Sequence, residues 1–198
     1  MRLRLILPVL ASLSLVPAAF AASIIDQQNT QFNGFRGPSD SPGQSFTPTA
    51  SLLDFATFSL ATSDPLHGAL VSAVLYDGAG FGGTTLTTSS NAVLVTNNRS
   101  SFQDYTFLFS PTFALTPGHV YTLQLIDALG PTLFEREFSG NAYAGGQEYS
   151  STGFAQTGYD LTFSEGYNAV PSVPEPSSFA LLGTGMAGIT ALWRRRRS

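Results

Sequence analysis

The chain contains no cysteine and no lysine. The first absence excludes disulfides, cysteine-ligated metal sites and thiol nucleophiles together, so stability outside a cell must come from packing, with at most the help of a bound cation. The second leaves arginine as the only long cation. Of the nine arginines six sit at the two ends, and between them only Arg36, Arg99 and Arg136 stand against twelve carboxylates, a net charge of −9. Such a surface repels phosphate backbones, because nucleic-acid affinity comes largely from basic residues that displace counterions. This argues against nucleic acid as a partner. Histidine is scarce too, with only His67 and His119, and no convincing amphipathic helix is written between the ends.

Both ends carry an address. Arg2 and Arg4 form a positive start, Leu5 to Val16 an apolar run containing Pro8, and Ala19-Phe20-Ala21 an A-x-A cleavage pattern. This predicts a signal peptide over residues 1–21, with Ala19 and Ala21 at the cleavage site; the apolar run is too short for a retained membrane helix. At the other end no charge interrupts Ser177 to Trp193. About 17 helical residues span roughly 25 Å, nearly the hydrocarbon thickness of roughly 30 Å, which predicts one C-terminal transmembrane helix. Trp193 would lie at the interface, and Arg194, Arg195, Arg196 and Arg197 would anchor the cytoplasmic side, so that the preceding chain lies outside. Pro174 and Pro176 discourage helix before them and leave Glu175 displayed on an extended stalk.

Pro174-Glu175-Pro176, the glycine-dotted apolar segment and the terminal arginines together resemble the PEP-CTERM sorting domain of Gram-negative bacteria. The resemblance covers roughly residues 173–198. It implies that Pro174, Glu175 and Pro176 are the sorting motif, that an exosortase recognises and removes the tail, and that the membrane helix is a transient hold. It further implies association with exopolysaccharide and biofilm matrix, at the cell surface or outside the cell.

Residues 22–172 remain as one ectodomain, large enough to bury its own core. Their pattern has period two: Ala56, Phe58 and Leu60; Val71, Ala73 and Leu75; Tyr105, Phe107 and Phe109; Tyr121, Leu123 and Leu125; Tyr159, Leu161 and Phe163. Turn clusters such as Asp77 to Gly83, Pro117-Gly118 and Gly145-Gly146 separate these runs. Short strands so punctuated predict an all-β, antiparallel, jelly-roll-like sandwich of about eight strands. Leu115 to Tyr121, Asn141 to Gly146 and Asp160 to Phe163 look like segments of the jelly rolls found in carbohydrate-binding modules, a resemblance spanning roughly Gln44 to Phe163.

The candidate binding site follows from aromatics near a loop. Tyr143 and Tyr149 bracket Gly145-Gly146, with Gln147 and Glu148 between. A tyrosine face can cover a sugar ring while amides and carboxylates bond its hydroxyls, so Tyr143, Gln147 and Tyr149 are candidate carbohydrate contacts. The same residues also suit a plain surface turn with Tyr143 packed on a sheet edge.

No catalytic constellation assembles. His67 follows Asp64-Pro65-Leu66 and His119 follows Pro117-Gly118, so both suit solvated or turn-capping roles, and no nucleophile elbow, His-Glu metal motif or phosphate loop occurs. Glu135 and Glu137 share one strand face, but glycosidic cleavage needs two carboxylates flanking the bond about 5 to 9.5 Å apart; with Arg136 between flanking phenylalanines they suit a solvated charged edge. Asp26, Asp40 and Asp160 could give oxygen ligands to a structural calcium, although no loop has EF-hand-like spacing, and ordinary exposed aspartates explain them too. Asn98-Arg99-Ser100 fits an N-glycosylation pattern by chance. The expected protein is an exported, non-catalytic envelope or matrix component without a resident cofactor. Recognition of a defined glycan is the alternative, and a polysaccharide-active enzyme a remoter one.

Overall fold

The computed structural model describes residues 22–39 and 41–169. In chain order the strands are β1 (Ser23–Asn29), β2 (Gly34–Ser39), β3 (Gly43–Phe46), β4 (Leu52–Thr62), β5 (Ala69–Asp77), β6 (Thr85–Thr88) and β7 (Val93–Val95). They continue as β8 (Gln103–Ala114), β9 (Tyr121–Asp127), β10 (Leu133–Ser139), β11 (Glu148–Tyr149), β12 (Ala155–Gln156), β13 (Tyr159–Leu161) and β14 (Phe163–Asn168). The count exceeds expectation because segments such as β11 and β12, two residues each, are too short to show alternation. Among the described residues no helix is long and apolar enough to cross a membrane. The signal peptide with Ala19 and Ala21, Asp40, the Pro174 to Pro176 motif, the Ser177–Trp193 helix and the terminal arginines lie outside the described residues.

Two antiparallel seven-stranded sheets make the sandwich. One runs β1-β14-β4-β10-β13, with β2 on β10 and β8 on β4; the other runs β12-β11-β3-β9-β5-β6, with β7 on β5. Long β4 organises the first sheet, since its alternation sends Ala56, Phe58 and Leu60 inward. They meet Val71, Ala73 and Leu75 of β5 and Leu123 and Leu125 of β9. Phe58 lies edge-on to Phe107 at 6.2 Å and stacks on Phe163 at 6.1 Å. Each such side chain removed from water contributes about 1.5–3 kcal/mol, which lets the domain do without disulfides.

Two departures from simple alternation matter. Thr122 and Gln124 on β9 are buried although they point away from the core, because Thr122 accepts from Gly80 N at 2.8 Å and Gln124 donates to Ser41 O at 3.2 Å. Neighbouring loops therefore cover that face. The second departure is a fork in the first sheet. One edge of β4 pairs with β14 through Phe55–Phe58 and then with β10 through Leu60–Thr62, while a bend at Thr162 lets β13 pair with the far half of β10. The bend breaks the expected Tyr159-Leu161-Phe163 face: Leu161 and Phe163 stay buried, Tyr159 turns outward, and Asp160 is buried instead of exposed.

Candidate functional site

In the loop from Tyr143 to Tyr149 both rings are packed, which corrects the expectation of sugar contacts at Tyr143, Gln147 and Tyr149 and agrees with the other reading of Tyr143, a ring packed on the sheet. Tyr143 is only 8% exposed. Its ring stands edge-on to Phe163 at 5.2 Å, and its hydroxyl donates to Gln27 Oε1 at 3.0 Å and accepts from Thr47 N at 3.2 Å. Tyr149 is 5% exposed, packs against Phe81 at 6.0 Å and accepts from Gln147 Nε2 at 3.0 Å. Gln147 is tied through its backbone to Ser45, whose N donates to Gln147 O at 2.9 Å. Neither ring offers a free face, because the loop is zipped onto β3. A Gly-rich aromatic segment reads the same whether its rings face sugar or core.

Glu135 also departs from the solvated-edge reading, whereas Glu137 is half-buried. Glu135 is 1% exposed, since β2 pairs along the outer edge of β10 and places Arg36 directly opposite it. Arg36 is ion-paired with Glu148 of β11. Burial and then the Glu148 charge push Glu135 well above the usual carboxylate range. Burial likewise raises Glu148 to about 7, with Arg36 pulling it down and Glu137 pushing it up. Glu135 and Glu148 thus have almost no access to solvent.

A second acidic pair sits where β1 bulges against β14 between Ile25 and Gln27. The bulge turns Asp26 towards the Thr49-Ala50 turn, where its carboxylate accepts from Thr49 N at 2.7 Å, from the Thr49 hydroxyl and from Ala50 N at 3.0 Å. Burial pushes neighbouring Glu165 up to about 8, and the Asp26 charge adds to the rise. Asp160 accepts from Gln44 Nε2 at 3.1 Å and Tyr143 N at 2.9 Å. Both aspartates are thus engaged by protein donors. Among the described residues no group of three acidic or histidine side chains is arranged to hold a metal. His67 contacts Asp64 at 2.8 Å and His119 contacts Asp77 at 2.6 Å, both in exposed turns.

The site that sequence reading missed lies on the outer face of the first sheet, beside the fork. Alternation along β10 sends Glu135 inward and Arg136 outward. The Arg136 guanidinium lies 4.1 Å from the centre of the Phe32 ring and 5.1 Å from that of Phe102. Phe35, opposite Arg136 across the β2–β10 pair, carries Arg99 at 5.9 Å and meets Phe134 edge-on at 5.6 Å. Next to this ladder is a cleft of about 320 Å³, lined by Phe32, Arg136, Asp104, Gln28 and a row of hydroxyls that includes Thr57 and Thr162. Phe32 remains 53% exposed. Among the described residues Arg36 is the one arginine in an ion pair, so Arg99 and Arg136 hold their charges against aromatic rings in an otherwise acidic domain. The only signal in the sequence was four phenylalanines and two arginines spread over three separate segments.

An exposed ring edge, a guanidinium, an acid and several hydroxyls around one cleft can take a polar, ring-shaped ligand through C–H contacts and hydrogen bonds. No curated protein matches the chain. Among solved structures it is similar to one titled "Structure of infectious bursal disease virus Gt strain", at 18% identity and a TM-score of 0.23, over 82% of this chain and 42% of that one. The chain thus spans less than half the length of that relative, and a likeness so low carries no argument. The C-terminal residues, by contrast, match a family model along the stretch that holds Pro174, Glu175 and Pro176. Residues 172–197 are a PEP-CTERM protein-sorting motif, which marks the chain as an exported protein destined for exosortase processing at the membrane.

Proposed function

We propose that this is a non-catalytic matrix protein, released from its membrane hold by exosortase and retained at the cell surface by exopolysaccharide. The observation that carries the reading is the sorting motif over residues 172–197 behind an all-β, disulfide-free domain. Among the described residues the acidic groups Glu135, Glu148 and Glu165 are buried in the interior, and for a domain delivered outside, binding at its surface is the simplest use. The outer-face cleft at Phe32 and Arg136 is where a sugar chain would lie, and its presence favours recognition of a particular class of glycan over purely passive embedding.

The test has two parts. Intact mass of the protein released by producing cells should begin at Ala22 and lack Arg194 to Arg197, and Glu175→Ala should leave it in the membrane fraction. The released protein should then co-sediment with the cells' exopolysaccharide and become freely soluble when polymer synthesis is disabled. A released protein that keeps its terminal arginines sinks the processing step, and equal solubility with and without polymer sinks the matrix role.

A further inference from the structure

We infer that the outer-face cleft selects acidic polysaccharide, with Arg136 gripping the carboxylate of a uronic-acid unit and Phe32 lying against the sugar ring. The inference rests on the matrix reading above and specifies the chemistry of its site.

The argument starts from charge. An ectodomain with three arginines and twelve carboxylates has ample opportunity to pair each arginine, and it does pair Arg36 with Glu148. Arg136 is instead held between the Phe32 and Phe102 rings, 4.1 and 5.1 Å from their centres. Flanking rings fix the guanidinium and thin its hydration while leaving its edge donors unspent. A carboxylate answers those donors best, because it accepts two parallel N–H bonds from one fork. A neutral sugar would use the ring and the hydroxyls but give the positive charge nothing to meet.

The rest of the site suits the same ligand. Thr162, whose hydroxyl donates to Gln31 O at 3.1 Å, and Thr57, whose hydroxyl is bonded to that of Thr106 at 2.9 Å, still have acceptor lone pairs for sugar hydroxyls, and the exposed part of Phe32 supplies an apolar face for ring C–H groups. The opposing effect is the domain's net negative charge, which repels a polyanion at long range. Screening over roughly 8 Å at physiological ionic strength confines that repulsion to nearby groups. Asp104, in the cleft itself, is the nearest such group to consider. It would hold an acidic chain to the Arg136 side and lower affinity at the same time, so its removal has a predicted sign.

The experiment titrates the full chain, in detergent, with polygalacturonate and with neutral dextran of matched length. Wild type should bind polygalacturonate about ten-fold more tightly than dextran, the ratio one good charge-assisted contact supplies. Arg136→Gln should erase that preference, Arg136→Lys should keep part of it because an ammonium cannot form the fork, and Asp104→Asn should raise polygalacturonate affinity a few-fold. The gain in the last variant cannot arise from misfolding. Unchanged polygalacturonate affinity in Arg136→Gln, no gain in Asp104→Asn, or a wild-type preference for dextran overturns the inference. Retention of Arg136→Gln by the cells' own polymer at wild-type level overturns it too while leaving the matrix role standing; loss of retention in wild type strikes the matrix role itself.

Discussion

Arg36 of β2 and Glu148 of β11 join the two sheets of the sandwich through an ion pair whose carboxylate is fully buried. Around it lie Glu135, also buried, and Glu137, so one guanidinium serves a cluster of three carboxyl groups. Breaking a buried pair by removing one partner costs about 3–5 kcal/mol when the other must stay charged.

Glu148 has an escape, because its raised pKa of about 7 lets it take up a proton. Arg36→Met should therefore destabilise the domain by several kcal/mol at pH 8.5, roughly the full cost of an orphaned buried charge, and by clearly less at pH 5. Urea unfolding at the two pH values measures the difference. Equal losses at both would mean that Glu148 does not respond to its partner.

Stability of the unaltered protein should fall as pH rises from about 4.5 to 8. Glu148 and Glu165, raised to about 7 and about 8, hold protons in the folded state that the unfolded chain has already released near its ordinary value. Their contribution is complete below that ordinary value and is lost as pH passes the folded values. Together they amount to roughly 8 kcal/mol at most, on the order of ten degrees or more in Tm. Asp26 is held below its usual range and acts oppositely, losing its contribution as pH falls below about 4. Calorimetry should find the highest Tm near pH 5, and Glu165→Gln should flatten the decline above pH 7. A Tm that climbs from pH 5 to 8.5 contradicts this.

Tyr143 should behave as a core residue. Tyr143→Phe removes the bonds to Gln27 and Thr47 and should cost about 1–3 kcal/mol; Tyr143→Ala leaves a cavity against Phe163 and should cost about 3–5 kcal/mol. Retention of folded Tyr143→Phe by polysaccharide should match wild type. A marked loss of retention at unchanged Tm would return this ring to the binding surface.

Gly146 should tolerate no side chain. A Cβ there would stand 1.9 Å from Ser45 O, where the loop backbone is bonded to β3. Gly146→Ala should separate that seam and lower Tm by several degrees, on the order of a few kcal/mol for forced overpacking, with the loss visible as faster amide exchange at Ser45 and Gln147. Unaltered exchange would show that the seam adjusts freely.

The recurring two-residue alternation of Ala56-Phe58-Leu60 and Val71-Ala73-Leu75 was enough to read an all-β sandwich, because strand periodicity depends only on local geometry. The tail was legible for a related reason: length without charge, a Trp193 at its end and four terminal arginines can be read from the linear sequence alone, and the sorting motif over residues 172–197 rests on the same stretch. Tertiary structure decided everything that depends on what covers a residue. Asp160 and Glu135 look like surface carboxylates until a bend at Thr162 and the edge strand β2 bury them, and Tyr143 looks like a sugar platform until Phe163 occupies its side. The cleft that brings Phe32, Asp104 and Arg136 together joins positions 72 and 104 residues from Phe32 along the chain, and no local pattern encodes such a meeting. Periodicity along the chain states which way a side chain points, and only the packing of distant strands states what waits there.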